Sequence, residues 1–188
     1  MAKYIKKIGI DSIETFLGEK LKNNYTVIGV DVSQHSTGLA LIRTTDSYLI
    51  IEKLIKIEVP RNVELLKSVD MFLSQLNDFK KEISQFKLDC LVIEDCFFGK
   101  NVNTLKALAR FGILVYVTFK ELIDKGIFLL PSSARKKIGF KKTDKTAKGQ
   151  ALKKELVHFV NVGFGLKLKI KDNDLADSLI LGLAGLVE

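Results

Sequence analysis

Residues 25–42, YTVIGVDVSQHSTGLALI, decide the fold that we predict for this chain. Tyr25–Val32 is rich in β-branched residues, SQHSTG supplies a turn, and Leu39–Arg43 follows as a second strand. A third strand is predicted for YLIIEKLIKIEV, residues 48–59, whose later part alternates apolar and charged side chains as an edge or half-exposed strand does. Strands joined by such short turns run antiparallel. The chain is therefore expected to begin its main body with three antiparallel strands.

After Pro60 the pattern changes to helices that alternate with buried strands. Residues 62–86 follow a helical period, and LDCLVIEDCF, residues 88–97, is a short apolar run typical of a strand buried on both faces. We predict a helix for residues 101–125, although GILVYVTF within it also suits a strand by composition. A fifth strand is predicted at Ile127–Leu130.

Two further helices, at residues 144–160 and 173–187, complete the predicted order βββαβαβαα. This order indicates an α/β fold with a five-stranded mixed sheet flanked by helices, in which two strands are added in parallel to three antiparallel ones. It is the ribonuclease H-like layout. A chain of 188 residues suits one such domain, which we assign to residues 25–188. Residues 1–24 then form an N-terminal extension with a short amphipathic helix.

Composition limits where the protein acts and what it binds. No apolar run is long enough to span a bilayer, and the N-terminus lacks the apolar core of a signal peptide. The two cysteines, Cys90 and Cys96, are expected to be reduced thiols. We therefore expect no membrane association and a cytoplasmic or nucleoid-associated protein.

The net charge of +8 is concentrated in one segment and favours an anionic partner. Between residues 135 and 154 a single acid, Asp144, accompanies nine basic residues. These are Arg135, Lys136, Lys137, Lys141, Lys142, Lys145, Lys148, Lys153 and Lys154. Such a run is often a solvated surface, but its self-repulsion is relieved when phosphates contact it. We expect contact with DNA phosphates.

Four acidic residues lie in otherwise apolar segments. Asp31 ends the first predicted strand, Glu94 lies late in the fourth, and Asp174 and Asp177 share one face at the start of the last helix. Taken singly, Asp31 also suits an Asx-turn, and acids at a helix start also suit capping. Four convergent carboxylates would repel one another unless divalent cations such as Mg²⁺ or Mn²⁺ bind between them. Enzymes that hydrolyse phosphodiesters often bind two such ions about 4 Å apart. The four acids therefore indicate a metal-dependent nuclease.

Four segments resemble, in order, those of the RuvC-type Holliday junction resolvases. They are VIGVDVSQHSTGLALI (27–42), LVIEDCFFGKNVNTLKALARFG (91–112), TDKTAKGQALKKEL (143–156) and DNDLADSLILGLAG (172–185). The resemblance implies a ribonuclease H-like homodimer that cuts four-way DNA junctions by paired symmetric nicks. It also implies two Mg²⁺ ions in each active site, with Mn²⁺ as an expected substitute.

The resemblance places functional residues on particular positions of this sequence. The acidic tetrad of the family falls on Asp31, Glu94, Asp174 and Asp177, as catalytic residues and metal ligands. The aromatic residue near the junction centre matches Phe97, and the residues that follow it match Lys100 and Asn101. Lys148 matches a lysine of the third segment, and the helix at residues 103–124 is the implied dimer interface.

Some features depart from the family pattern and leave alternatives open. Residue 33 is not glycine, Asp95 directly follows Glu94, and the N-terminal extension is additional. A related flap, branched-DNA or hybrid nuclease of the same fold is one alternative, and a non-catalytic junction-binding protein is another. The actin-like kinases and ATPases open with a similar hairpin, but they need two such domains.

Overall fold

A computed structural model of the chain describes residues 6–95 and 102–188. Its centre is a six-stranded sheet with the spatial order β1-β4-β3-β2-β5-β6. The strands are β1 (Lys6–Gly9), β2 (Thr26–Asp31), β3 (Ser36–Thr44), β4 (Tyr48–Glu58), β5 (Leu88–Glu94) and β6 (Ile123–Leu129). Strands β2, β3 and β4 are antiparallel neighbours, whereas β5 and β6 run parallel to β2. The predicted mixed α/β architecture is confirmed.

The predicted number of five strands is wrong, because the extension contributes a sixth. Strand β1 pairs antiparallel with β4, with Lys6 opposite Ile51 and Gly9 opposite Tyr48. Its four residues, KKIG, are too few to show the alternation by which a strand is recognised. The strand exists because β4 offers it a free edge, and that edge is visible only in the folded chain.

Six α-helices surround the sheet in the described part of the chain. They are α1 (Ile10–Leu17), α2 (Leu65–Glu82), α3 (Val102–Phe119), α4 (Pro131–Lys137), α5 (Gly149–Phe164) and α6 (Asn173–Leu186). The apolar run in α3 is helical, as predicted, and buries Phe111, Val115 and Phe119 at spacings of four residues. The helix ends at Phe119 rather than at residue 125, and β6 begins at Ile123. No proline or glycine marks that boundary in the sequence, so the prediction extended the helix too far.

The two faces of the sheet carry separate hydrophobic cores. Helices α2 and α3 cover one face, where Phe72 and Phe111 meet edge to face with ring centroids 4.9 Å apart. Helices α1, α4, α5 and α6 cover the other face. Ile13 and Leu17 of α1 are buried in this second core, so the extension packs on the body of the protein. No helix in the described ranges is long and apolar enough to cross a membrane.

Glycines allow α6 to lie directly on the backbone of the central hairpin. A Cβ atom at Gly29 of β2 would lie 2.1 Å from the carbonyl oxygen of Ser178, and one at Gly38 of β3 would lie 2.1 Å from that of Asp174. Neither position therefore accepts a larger side chain without moving the helix. This close approach holds the N-terminal turns of α6 beside the end of β2.

Candidate active site

The structure brings the four predicted acids to one cavity of about 330 Å³. Asp31 and Glu94 end the adjacent parallel strands β2 and β5, in which Val30 is paired with Ile93. Asp174 and Asp177 occupy the first two turns of α6, which packs over these strand ends. All four line the same cavity. The carboxyl ends of the parallel strands and the start of the helix meet at one edge of the sheet. Ligand sites in such sheets usually lie at this carboxyl edge.

The position of Asp31 disfavours the ionised form of its carboxyl. Burial raises the pKa of its carboxyl well above the usual value, and a hydrogen bond shared with Glu94 raises it further. The negative charges of Glu94, Asp177 and Asp174 act in the same direction. The site therefore concentrates negative charge around a buried carboxylate, which favours the binding of a cation.

Asp174 is held by three polar side chains. The Ser36 hydroxyl donates to its Oδ2 atom, and the Asn173 side-chain amide donates to Oδ1 at 2.6 Å. The Lys56 ammonium lies 3.5 Å from Oδ2 and also donates to the Lys171 carbonyl at 2.7 Å. Lys56 reaches this position because β4 places it opposite Gly38, the residue on which the start of α6 rests. Asp174 is thus both oriented and partly neutralised.

Asp177 is paired with Arg135 of α4. The Arg135 Nη2 atom lies 3.2 Å from Asp177 Oδ1, and both side chains are largely shielded from solvent. Burial raises the pKa of Asp177 above the usual value, the nearby Arg135 guanidinium lowers it, and Glu94 raises it. The buried Nε atom of Arg135 has no hydrogen-bond partner in the described part of the chain. This leaves one donor of the guanidinium ready for a further acceptor.

The acids do not form a preassembled metal group. Within residues 6–95 and 102–188, no three acid, histidine or cysteine side chains lie close enough together to hold an ion as they stand. Lys56 and Arg135 each hold one of the helix acids. The chemistry of the donors nevertheless suits a hard divalent cation, since all four are carboxylates and Asp31 is buried among like charges. The residues therefore fit a divalent metal.

The predicted DNA-binding residues do not all lie together. Arg135 lines the acid cavity itself, whereas Lys136, Lys141 and Lys142 line a neighbouring cleft of about 410 Å³. Lys145 and Lys148 are exposed around the start of α5. The Lys137 ammonium donates to the Val187 carbonyl at 2.9 Å, which places it at the far end of α6 from the acids. Phe97, Lys100 and Asn101 lie outside the described residues.

Two residues near the acids were not predicted as part of the site, and a third, Lys153, was predicted only as a member of the basic run. Ser36 and Lys56 contact Asp174, and Lys153 of α5 lines the cavity. Lys56 lies in the alternating part of β4, where a charged residue is expected to face solvent. Ser36 lies in a turn segment rich in polar residues. Neither pattern distinguishes these two residues from ordinary surface positions.

The mixed sheet and its flanking helices define a ribonuclease H-like fold, and comparison with known structures agrees with it. The structure of RuvC from Thermus thermophilus superimposes with a TM-score of 0.62 at 14% identity, over 85% of this chain and 92% of that one. T. thermophilus RuvC in complex with a Holliday junction gives a TM-score of 0.61 at 16% identity, over 85% of this chain and 91% of that one. The yeast mitochondrial Holliday junction resolvase Ydc2 superimposes with a TM-score of 0.53 at 13% identity, over 92% of this chain and 82% of that one.

Sequence comparison identifies the family. The family model for crossover junction endodeoxyribonuclease RuvC matches residues 27–184. A crossover junction endodeoxyribonuclease RuvC from Carboxydothermus hydrogenoformans is 25% identical over 162 residues, which cover 86% of this chain and 96% of that protein. The chain belongs to the RuvC family of crossover junction endodeoxyribonucleases. The match begins at residue 27, so strand β1 and helix α1 precede it.

Proposed function

We propose that this protein resolves four-way DNA junctions by paired symmetric nicks, using divalent metal ions held by Asp31, Glu94, Asp174 and Asp177. The observation that carries the proposal is the convergence of these four carboxylates on one cavity, with Asp31 buried among the other acids. Membership of the RuvC family supports the same conclusion. Mg²⁺ is the expected ion, with Mn²⁺ as a substitute.

Two divalent ions bound by these acids would activate the attacking water and stabilise the leaving oxygen of the scissile phosphodiester. The protein's own residues prepare the site for that chemistry. Ser36 and Lys56 fix the orientation of Asp174, and Arg135 fixes that of Asp177. Lys56 and Arg135 also offset part of the negative charge in the protein without metal. We expect products with 5′-phosphate and 3′-hydroxyl ends.

The surroundings of the cavity support binding to the DNA backbone. Arg135 has a buried donor without a hydrogen-bond partner in the described residues, at the cavity where a phosphate would lie. The remaining proposed phosphate contacts extend outward from the cavity along α4, the loop after it and the start of α5. They are Lys136, Lys141, Lys142, Lys145 and Lys148, with Lys137, Phe97, Lys100 and Asn101 as further proposed DNA contacts. Affinity for DNA is therefore expected to fall steeply as salt concentration rises.

Paired nicks need two active sites, and helix α3 offers the surface for a homodimer. Val102, Ile113 and Val117 are 63%, 52% and 53% exposed, although the opposite side of the helix is buried in the core. Tyr116 and Phe128 add partly exposed rings nearby. Apolar surface of this kind is typical of an interface. A second copy of the chain is the occupant that we propose, in accord with the predicted interface at residues 103–124.

The test is cleavage of a synthetic four-way junction and a linear duplex of the same sequence, in Mg²⁺. The wild type is expected to cut the junction at two symmetric positions and to leave the duplex intact. Asp31→Asn should reduce cutting about a thousandfold or more, since ligand loss removes several kcal/mol of transition-state stabilisation. Asp70→Asn, an exposed acid on α2, is the matched control and should cut normally.

Each other outcome contradicts a specific part of the proposal. Equal cutting of junction and duplex would preserve the nuclease chemistry and overturn junction selectivity. Tight junction binding without cutting in Mg²⁺ or Mn²⁺ would show a non-catalytic junction-binding protein. Cutting by Asp31→Asn at the wild-type rate would show that the acid cavity is not the active site.

A further inference from the structure

The N-terminal extension builds one wall of a groove next to the DNA-facing surface. Phe16 of α1, Phe140 of the loop after α4, and Phe159 of α5 line this groove, which has a volume of about 630 Å³. The rings of Phe16 and Phe159 are 4.8 Å apart and tilted, and those of Phe140 and Phe159 are 5.3 Å apart and edge to face. Phe16 keeps 37% of its surface exposed. We call this feature the aromatic groove.

The aromatic groove and the acid cavity each share lining residues with the cleft between them. Arg135 lines both the acid cavity and the neighbouring cleft. Phe140 and Lys141 line both that cleft and the aromatic groove. The three concavities are therefore neighbours on the surface in this order, with Lys136 on the wall of the middle one.

The charge of the aromatic groove suits a polyanion. Lys141 and Lys154 are exposed on its walls, together with His158 one helical turn beyond Lys154. Among the described residues that line it, the one acid is Glu155. Its carboxylate already accepts hydrogen bonds from the backbone amides of Thr143 and Asp144. With two lysines against one carboxylate, the net charge of the groove lining is positive.

We propose that the aromatic groove binds unpaired nucleotides of the DNA strand that leaves the acid cavity. Exposed rings beside cations are the combination that binds single strands, because bases stack on the rings while lysines contact the phosphates. A duplex hides its base faces and would use only the lysines. The inference rests on the proposed nuclease function, and it adds that the preferred branched substrate has single-stranded nucleotides next to the cut. The wall that carries Phe16 lies before the segment shared with the RuvC family.

The first test measures binding without cleavage. A fluorescein-labelled 15-nucleotide oligothymidine and a 15-base-pair duplex are titrated with the full chain in EDTA and followed by anisotropy. Lys141→Gln/Lys154→Gln should weaken strand binding about tenfold and reduce the salt slope by about 1.4, since each lost contact to a single strand contributes about 0.7. The duplex contacts the same lysines without stacking on the rings, so its binding should weaken as well. The control is Lys67→Gln/Lys81→Gln, which removes two exposed lysines of α2 on the other face of the sheet. It should leave the affinities for the strand and for the duplex unchanged.

The second test locates the bases directly and needs no variant. Oligothymidine carrying 5-iododeoxyuridine is photo-crosslinked to the wild type, and the adducts are mapped by mass spectrometry. Adducts on Phe16, Phe140 or Phe159 are expected. Adducts confined to other surfaces, or equal strand affinity of the wild type and Lys141→Gln/Lys154→Gln, would overturn the inference and favour a protein occupant of the groove.

The two proposals fail in different ways. A protein that cuts the four-way junction but binds the strand without using the groove retains the nuclease function and loses this inference. A protein that binds the strand through the groove but cuts no branched DNA retains the groove and loses the nuclease function.

Discussion

Asp31 lies where a carboxylate is poorly tolerated unless a cation is bound. Burial first, then the shared hydrogen bond with Glu94 and the charges of Glu94, Asp177 and Asp174, raise its pKa. The pKa of Asp31 in the folded protein therefore lies above that in the unfolded chain. The resulting destabilisation is present above the folded-state pKa and is relieved as the pH falls through it. The carboxylate that the proposed metal site requires is therefore expected to weaken the metal-free fold at neutral pH.

We predict that Asp31→Asn stabilises the metal-free protein while it removes cleavage. In EDTA at pH 7 its thermal midpoint should rise by at least about 2 °C, which corresponds to roughly 1 kcal/mol for a domain of this size. The difference from the wild type should shrink as the pH is lowered, because the wild-type carboxyl becomes protonated. Thermal unfolding monitored by circular dichroism at pH 7 and at lower pH measures both effects.

Added Mg²⁺ provides the complementary measurement. It should raise the midpoint of the wild type more than that of Asp31→Asn, since ligands that bind the folded state stabilise it. Asp70→Asn should follow the wild type throughout. A lower midpoint of Asp31→Asn than of the wild type in EDTA would show that the carboxylate is stabilised rather than strained.

At the scale of elements, the contact between α6 and the β2–β3 hairpin places two of the four acids. Gly29 and Gly38 allow the helix backbone to touch the strands, and Gly182 and Gly185 of α6 continue the close contact beside Ile42 and Val92. The acid side chains of α6 can reach Asp31 only because no Cβ atoms separate the helix from the sheet there. The glycines thus influence the candidate active site by setting the position of α6.

Gly38→Ala is expected to lower both stability and cleavage. Its Cβ atom would lie 2.1 Å from the Asp174 carbonyl oxygen, so α6 must shift. Overpacking of this kind costs about 1–3 kcal/mol of unfolding free energy. A shift of about 1 Å in a catalytic group can reduce the rate about a hundredfold. Urea unfolding and junction cleavage would be measured in parallel.

Gly9→Ala is the matched control for Gly38→Ala. A Cβ atom there would meet only the Ser12 hydroxyl oxygen at an ordinary contact distance of 3.7 Å, and Gly9 has a φ of −57°, which any residue adopts. It should therefore leave cleavage unchanged. Normal cleavage by Gly38→Ala would show that α6 does not depend on close contact at this position.

At the scale of the whole molecule, we propose separate roles for two surfaces. The acid cavity cleaves DNA, and the exposed side of α3 forms the dimer interface. In the proposed mechanism one cavity cuts one strand, so a second copy would be needed for the symmetric cut. Ile113 and Val117 are four residues apart on α3, and each is more than half exposed, at 52% and 53%. Their shared surface is where we expect the copies to meet.

Val117→Asp should convert a dimer to a monomer, because a charge at the centre of an apolar interface loses its hydration without gaining a partner. Light scattering after gel filtration measures the mass, and a plasmid that extrudes a four-way junction reports whether the two nicks are coupled. The monomer should produce single nicks. Leu66→Asp, at a 71% exposed position on α2, should remain dimeric with coupled nicks. A monomeric wild type would refute the proposed interface.

Much of the fold and of the site could be predicted from the residue pattern alone. The hairpin at residues 25–42, the buried strand that ends at Glu94 and the helix that carries Asp174 and Asp177 each have a strong local signal of apolar period and turn residues. Acids in these apolar segments could also be recognised from the sequence. Burying a carboxylate costs free energy unless it is paired or binds a cation, whereas leaving one on the surface does not. These features are local in sequence, so periodicity reports them.

Tertiary contacts decided the rest. Strand β1 forms only against the edge of β4, and Lys56 and Arg135 become neighbours of Asp174 and Asp177 only when distant segments pack together. The aromatic groove likewise joins Phe16 to Phe140 and Phe159 across more than a hundred residues of chain. A lysine or phenylalanine in an amphipathic segment looks the same in sequence whether its neighbour is water, a carboxylate or a groove. Local periodicity determines which face of an element is buried, but only the packed chain determines what meets the other face.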